Sequence, residues 1–291
     1  MLDPRRELDE GLRYQKVGML RRAVDKYEAT AARASDPAIV AEALLRESWA
    51  YRVWCKWDEA LDSAQRSAAI AQRAQLDLPY AEALNAEAMA YHAKGDLDAA
   101  TVRYEEILTV TGDQRMRGVG LQNLGSIAAQ RGDLDAAERH FTESHRCFER
   151  AGYAWGVAIA LNNSAAVALD RGNVAVAEQT ARRAMEAAER IGDLELLGIA
   201  ELNAAEALAL RRDVTRAEVL ATTALGHFTR EENALRRAQA LRVLGDVHLL
   251  RGDLAGAGRF FAHALALAEA TGASYEVSRI RDCLEVVRRG S

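Results

Sequence analysis

The stretch Ala93–Ala100, "AKGDLDAA", returns as "QRGDLDAA" at Gln130–Ala137, "DRGNVAVA" at Asp170–Ala177, "LRRDVTRA" at Leu210–Ala217 and "LRGDLAGA" at Leu250–Ala257. Towards the N-terminus, "VWCKWDEA" at Val53–Ala60 and "QKVGMLRRA" at Gln15–Ala23 keep the same cadence. The turn anchors are therefore Gly18, Cys55, Gly95, Gly132, Gly172, Arg212 and Gly252, at intervals of 37, 40, 37, 40, 40 and 40 residues. A fixed period of this length marks a stacked repeat architecture, in which each unit buries its apolar face only against its neighbours. Seven units cover nearly the whole chain.

Each unit contains two amphipathic helical patterns on either side of the turn. Seven positions before the anchor stands a small residue: Gly11, Ser48, Ala88, Gly125, Ala165, Ala205 or Gly245. A small side chain at that point lets one helix backbone press on its neighbour. Five positions after the anchor an alanine recurs: Ala23, Ala60, Ala100, Ala137, Ala177, Ala217 and Ala257. Four further on come Tyr27, Ala64, Tyr104, Phe141, Ala181, Ala221 and Phe261, a mixture of sizes that fills a shared core. Pro4, Pro37 and Pro79 fall at predicted helix starts, where a missing N–H does no harm.

The spacing Gly11–Tyr14–Ala23–Tyr27, with Ser48–Tyr51–Ala60 and Ala88–Tyr91–Ala100–Tyr104, resembles the tetratricopeptide repeat. That unit ordinarily has about 34 residues, and the surplus here lengthens the helices by about one or two turns. The pattern is similar to the long-helix class of kinesin light chains and bacterial Rap regulators. The resemblance implies an all-α fold, a right-handed α-α superhelix (TPR solenoid) of seven helix-turn-helix repeats over residues 1–273. Residues 274–291 are expected to form a C-terminal capping helix and tail, because Glu285 occupies the slot that is small in every repeat.

Composition bounds the function. The chain has 291 residues, 49% hydrophobic and 28% charged, with a formal net charge of −5. That balance argues against a general nucleic-acid binder. No apolar run is long enough to span a bilayer, so no membrane partner is expected. Cys55, Cys147 and Cys283 are odd in number and far apart, the usage of a reducing compartment, and a cytoplasmic location follows as the expectation. "GVGLQNLG" at Gly118–Gly125 has the wrong spacing for a dinucleotide loop, and the six histidines form no HExxH motif. No cofactor, metal or catalytic constellation is expected, hence no enzymatic activity.

Two arginine–glycine–aspartate tripeptides, at Arg131–Asp133 and Arg251–Asp253, read as helix punctuation: a basic C-terminal residue, a left-handed glycine, then an N-cap. Asn173 is given the same capping role. Lys94, Arg131, Arg171, Arg211 and Arg251 form a basic row that complements helix dipoles.

In the family, the first helix of each unit lines the concave surface. The resemblance places the inner slots six, three and two residues before the small residue, and one, four and five after it. Asn123, Asn163 and Asn203 all lie two before, an expected ladder spaced about 9–10 Å by helix packing. Val119, Ile159 and Ile199 lie one turn earlier, and Asn85, Gln122 and Asn162 add further amides. A carboxamide can donate to a peptide carbonyl while accepting from a peptide N–H. The expected function is thus an adaptor that binds a peptide segment or protein tail in the groove. Arg46, Trp49 and Arg52 near one end, and Arg242 near the other, are expected to add specificity. Leu8 and Leu12 stand where a carboxylate-clamp repeat would place Lys and Asn. The alternatives are a self-assembling scaffold and a regulator of a signalling enzyme through its convex face, and the chain is read as monomer or homodimer.

Overall fold

The computed structural model describes residues 3–290; Met1, Leu2 and Ser291, the extremities of the two sequence segments, lie outside the described residues. Among those described there are fifteen α-helices and no strand. The chain divides between Arg131 and Gly132 into two compact units.

The first unit contains α1 (Pro4–Lys16), α2 (Leu20–Arg33), α3 (Pro37–Val53), α4 (Trp57–Arg73), α5 (Asp77–Ala93), α6 (Leu97–Val110) and α7 (Gln114–Gln130). The second contains α8 (Leu134–Arg150), α9 (Ala154–Asp170), α10 (Val174–Ile191), α11 (Leu194–Leu210), α12 (Val214–Arg230), α13 (Ala234–Leu250), α14 (Leu254–Ala270) and α15 (Ser274–Gly290). Consecutive helices pack on one another within each unit. Odd-numbered helices also touch their next-but-one neighbours, α1 to α3, α3 to α5 and α5 to α7 in the first unit. In the second unit the same holds for α9, α11, α13 and α15. No even-numbered pair does so among the described residues. The odd helices are therefore the crowded inner layer of each unit, and the even ones are splayed on the outside.

Turn chemistry explains the punctuation. Gly18, Gly95, Gly132, Gly172 and Gly252 have φ between 72° and 82°, the left-handed region that lacks a penalty only for glycine. Asp96, Asp133, Asp213 and Asp253 then cap the next helix through a side-chain oxygen, as the tripeptide reading requires. Asn173 makes no such side-chain bond, so that turn relies on its glycine and backbone alone. Cys55 and Arg212 hold the same left-handed turn with φ of 57° and 62°. A Cβ in that region costs about 1–2 kcal/mol. Part of this is offset in a glycine variant by its looser unfolded chain. Cys55→Gly is expected to stabilise the protein by about 0.5–1 kcal/mol, read as a rise in the urea midpoint; an unchanged or lower midpoint contradicts it.

The core is built from small residues meeting large ones. All seven recurrent alanines are at most 1% exposed. In three of the four repeats with an aromatic second core slot the small slot is glycine, at Gly11, Gly125 and Gly245; in the fourth, Ala88 goes with Tyr104. A Cβ on Gly11 would lie 2.4 Å from Tyr27 Cε1, and one on Gly245 2.4 Å from Phe261 Cε1. In the repeats with Ala181 and Ala221, the small slot is already alanine, Ala165 and Ala205.

The basic row proves to be paired as well as dipole-compensating. Lys94 meets Asp58, Arg131 meets Asp98 at 2.5 Å and Arg171 meets Asp135. Arg211 meets Glu178 at 2.5 Å and Arg251 meets Glu218 at 2.6 Å. Each link joins the end of an odd helix to the even helix of the preceding repeat. Solvent screens such exposed pairs, so they set register more than stability. They also neutralise the row, which leaves no free cationic stripe for phosphates.

Candidate functional site

Helical geometry sends the inner slots of each odd helix to one face, because residues three and four apart project together. In the second unit that face opens into a cavity of about 500 Å³. Its walls are Leu169 and Asp170 from α9, Glu206 and Leu210 from α11, and Arg242, Val243, Asp246, Leu249 and Leu250 from α13. Arg279 from α15 and Arg212 from the turn after α11 complete it. Leucines supply apolar wall, and charged groups stand at intervals along it.

One charged cluster organises the floor. The Arg242 guanidinium donates from Nη1 to Asp246 Oδ2 at 2.8 Å, from Nε to Glu276 Oε1 at 3.0 Å, and from Nη2 to Glu206. Burial works against this charge, but the carboxylates of Glu206, Asp246 and Glu276 outweigh it and hold the guanidinium above its ordinary pKa. Burial likewise pushes the Asp246 carboxyl up, with Arg242 pulling the other way. Cys283, whose Sγ donates to Asp246 at 3.8 Å, has its thiol pushed up to about 11 by burial, so it is not a reactive thiolate. At the mouth, Asp170 and Arg279 make no ion pair within 4 Å among the described residues.

Arg242 corrects the sequence reading. It was expected to face a ligand, yet it is 5% exposed and its donors are consumed by three carboxylates on three helices. Its position on the inner face is as expected, but it is a cross-brace. Asn162 needs the same correction: it is 3% exposed, and Nδ2 donates to Leu196 O at 3.1 Å, tying α9 to α11. A trace of the cluster was present in the sequence. Glu206 and Asp246 occupy the same slot 40 residues apart, and Arg242 stands one helical turn before Asp246. Glu276, from the terminal helix, had no such signal.

The remaining amides are half-buried. Asn203 Nδ2 donates to Asn162 O at 3.1 Å across the two helices, beside half-buried Ile199. Asn163, beside half-buried Ile159, makes no hydrogen bond among the described residues. In the first unit, Asn123 Nδ2 donates to Val119 O, one turn back in its own helix, at 3.0 Å. Gln122 and Val119 are half-buried neighbours on the same helix. Asn163 and Asn203 lie outside the walls of the 500 Å³ cavity.

The first unit has a smaller hollow of about 340 Å³ between α3 and α5, lined by Glu42, Leu45, Arg46, Trp49, Pro79 and Glu82. Arg46 is paired with Glu42 at 3.0 Å and its Cζ lies 5.8 Å from the Trp49 ring centroid. Arg52, half-buried on the same helix, reaches Met89 Sδ at 3.0 Å. Asn85 Nδ2 lies 3.7 Å from that same sulfur, and its Oδ1 is buried without a partner.

Residues 119–190 match the tetratricopeptide repeat family model. Within that stretch the helical hairpin is a tetratricopeptide repeat. Among solved structures the chain is similar to the apo form of RapI, at 13% identity and TM-score 0.73, covering 92% of this chain and 98% of that one. It is also similar to a Rap protein complexed with Competence and Sporulation Factor, at 13% identity and TM-score 0.66, over 98% of this chain and 85% of that one. A third is a signal transduction ATPase with numerous domains that has a tetratricopeptide repeat sensor, from Pyrococcus horikoshii. That likeness has 13% identity and TM-score 0.77, over 95% of this chain and 44% of the longer protein. No curated protein matches the sequence. At such identities the likeness is one of fold, and function has to be argued from the site. No helix among the described residues is long and apolar enough to cross a membrane.

Proposed function

We propose that this TPR chain is a non-catalytic interaction module that holds an extended peptide segment of a partner protein against its odd-numbered helices. In this reading Asn123, Asn163 and Asn203 engage the peptide main chain, and Val119, Ile159 and Ile199 accept its apolar side chains. The observation that carries the proposal is Asn163, a half-buried amide on the inner face with no hydrogen-bond partner among the described residues. A carboxamide offers two N–H donors and an acceptor. Asn123 and Asn203 each spend a single N–H in the bonds they make, so both keep a donor and the oxygen for a ligand. The Rap protein complexed with Competence and Sporulation Factor supports the reading as a precedent for complex formation on this fold.

A random peptide library displayed on phage and selected on the wild type tests it. The selected peptides are expected to bind Asn123→Ala/Asn163→Ala/Asn203→Ala on the order of 100-fold more weakly, since each lost amide removes about 1 kcal/mol. Circular dichroism must first show equal helicity. Equal affinity for wild type and variant ends the case for the asparagines.

A further inference from the structure

We propose that the hollow between the outer helices α2 and α4 of the first unit, with Glu47 of α3 in its wall, receives a lysine or arginine side chain from a partner protein. The inference concerns residues apart from the inner slots, so it stands without the peptide reading above.

The argument begins from an acid–base couple that the repeats share. Eight residues before the turn anchor, the first three repeats carry a glutamate: Glu10, Glu47 and Glu87. Eight residues after it, the first and third carry a cation, Lys26 and Arg103. Both couples close, Lys26 Nζ to Glu10 Oε2 at 2.7 Å and Arg103 Nε to Glu87 Oε2 at 3.0 Å. The last four repeats have Leu124, Ser164, Ala204 and Leu244 in the first slot and no lysine or arginine in the second. Only the second repeat keeps the acid without the base: Ser63 stands where Lys26 and Arg103 stand.

Glu47 is also deeply sunk, its side chain 3% exposed against 35% for Glu10. A serine hydroxyl cannot neutralise it. Ser63 Oγ lies 3.0 Å from Glu47 Oε1 and 3.0 Å from the Glu59 carbonyl oxygen, so one proton serves two acceptors. Arg66 Nη1 stands 3.9 Å from Oε1, beyond hydrogen-bonding distance, on a side chain that is more than half exposed. Glu47 Oε2 is buried with no hydrogen-bond partner among the described residues. A carboxylate held out of water in this way is costly until a cation with N–H donors reaches it.

Space is left for that cation. Beside Glu47 and Ser63 lies a hollow of about 380 Å³. Asp58, Glu59 and Asp62 line its α4 side and already have Lys94, Lys56 and Arg66 as partners. Glu28, exposed on α2, makes no ion pair among the described residues. The charge left over is therefore negative, and it selects a cationic occupant. Tyr51 adds a ring against which a lysine stem or a guanidinium plane can lie. No group of three or more His, Cys, Asp or Glu among the described residues is placed to hold a metal ion, so the chemistry favours a side chain bringing its own donors.

Three variants of the full chain decide it. Wild type, Glu47→Gln, Ser63→Arg and Asp58→Asn/Asp62→Asn are titrated with n-butylguanidinium chloride. Sodium chloride at equal ionic strength and neutral n-butylurea are the controls, and backbone amide resonances along α3 and α4 are followed. In the wild type, n-butylguanidinium is expected to shift the resonances around Glu47 and Ser63 saturably, and n-butylurea to leave them in place. Glu47→Gln is expected to weaken the binding on the order of 10-fold. Ser63→Arg restores the couple as Arg103 does one repeat on, so it should raise the thermal midpoint and abolish the binding. Asp58→Asn/Asp62→Asn should keep it within about 3-fold, because those rim charges are exposed and screened. For the partner, a displayed peptide library is selected on Asn123→Ala/Asn163→Ala/Asn203→Ala, which removes the inner amides. Selected peptides are expected to carry Lys or Arg and to bind on the order of 10-fold more weakly once Ser63→Arg is added.

No saturable shift in the wild type overturns the proposal. Binding that survives in Glu47→Gln places the cation elsewhere and also overturns it; that variant keeps the side chain's size and decides the matter should Ser63→Arg fold poorly. Binding lost in Asp58→Asn/Asp62→Asn but kept in Glu47→Gln reduces the site to rim electrostatics. Selected peptides that bind equally well with Ser63→Arg present remove a partner's side chain as the occupant.

Discussion

Replacing Arg242 with methionine is expected to destabilise the second unit by about 3–5 kcal/mol, because it strands carboxylates that have been taken out of water. The guanidinium joins Glu206 on α11, Asp246 on its own helix and Glu276 on α15. Methionine keeps most of the volume, so the loss reports charge rather than a cavity. Glu276, 3% exposed, has no room to turn towards solvent without moving α15. The terminal helix should loosen first, seen as faster amide exchange along Ser274–Gly290 than along α9. A pH dependence must accompany this. Burial already raises the Asp246 carboxyl in the wild type, and Arg242 opposes that rise. Without Arg242 the rise is larger, so the folded variant binds a proton that the unfolded chain has released. Stability then falls as pH climbs through the window between the unfolded value, about 4, and the raised folded one. Urea denaturation should accordingly find the deficit smallest near pH 4 and full at neutrality. A deficit that does not change with pH is incompatible with uncompensated charge as the cause.

Gly245→Ala is expected to cost about 2–3 kcal/mol, although it adds one methyl group to a helix and improves helix propensity. The reason is geometric. The new Cβ would sit 2.4 Å from Phe261 Cε1 and 2.6 Å from Cδ1. The ring cannot retreat, being fully buried among Ala238, Ala257, Ala264 and Ile280. Adding Phe261→Leu to Gly245→Ala should recover more than 1 kcal/mol relative to the sum of the two single changes, a coupling expected of residues in contact. Additive losses in the double-mutant cycle would show that the two positions do not share one space.

The repeat, its turns and the assignment of inner faces were legible in the sequence for a common reason. Each is a local or periodic constraint, and stacking copies it forty residues on. The glycine at Gly132 and the alanine at Ala137 each recur because each neighbouring interface poses the same steric problem. The even–odd packing pattern identifies the odd helices as the inner layer of each unit. Asn162 lies deeper than its spacing suggests, because the spacing assigns a side chain to a face without fixing its depth. Its neighbour Leu196 on the next helix offers a carbonyl at 3.1 Å, and that bond draws it inward.

What the sequence by itself determined is therefore everything that repeats: an all-α array of helical hairpins, its left-handed turns, its small-to-large core pairs and the helices that form the inner layer. What only the tertiary structure decided is what does not repeat, namely which charges find partners. Arg242 and Arg52 are both arginines at inner positions of odd helices. One is enclosed by carboxylates from three helices and is a brace; the other, among the described residues, donates to a thioether. Ion pairing depends on the approach of side chains from several helices within about 4 Å. No periodicity along one strand of sequence encodes that distance, so the difference between a structural charge and an available one appears only once the helices are packed.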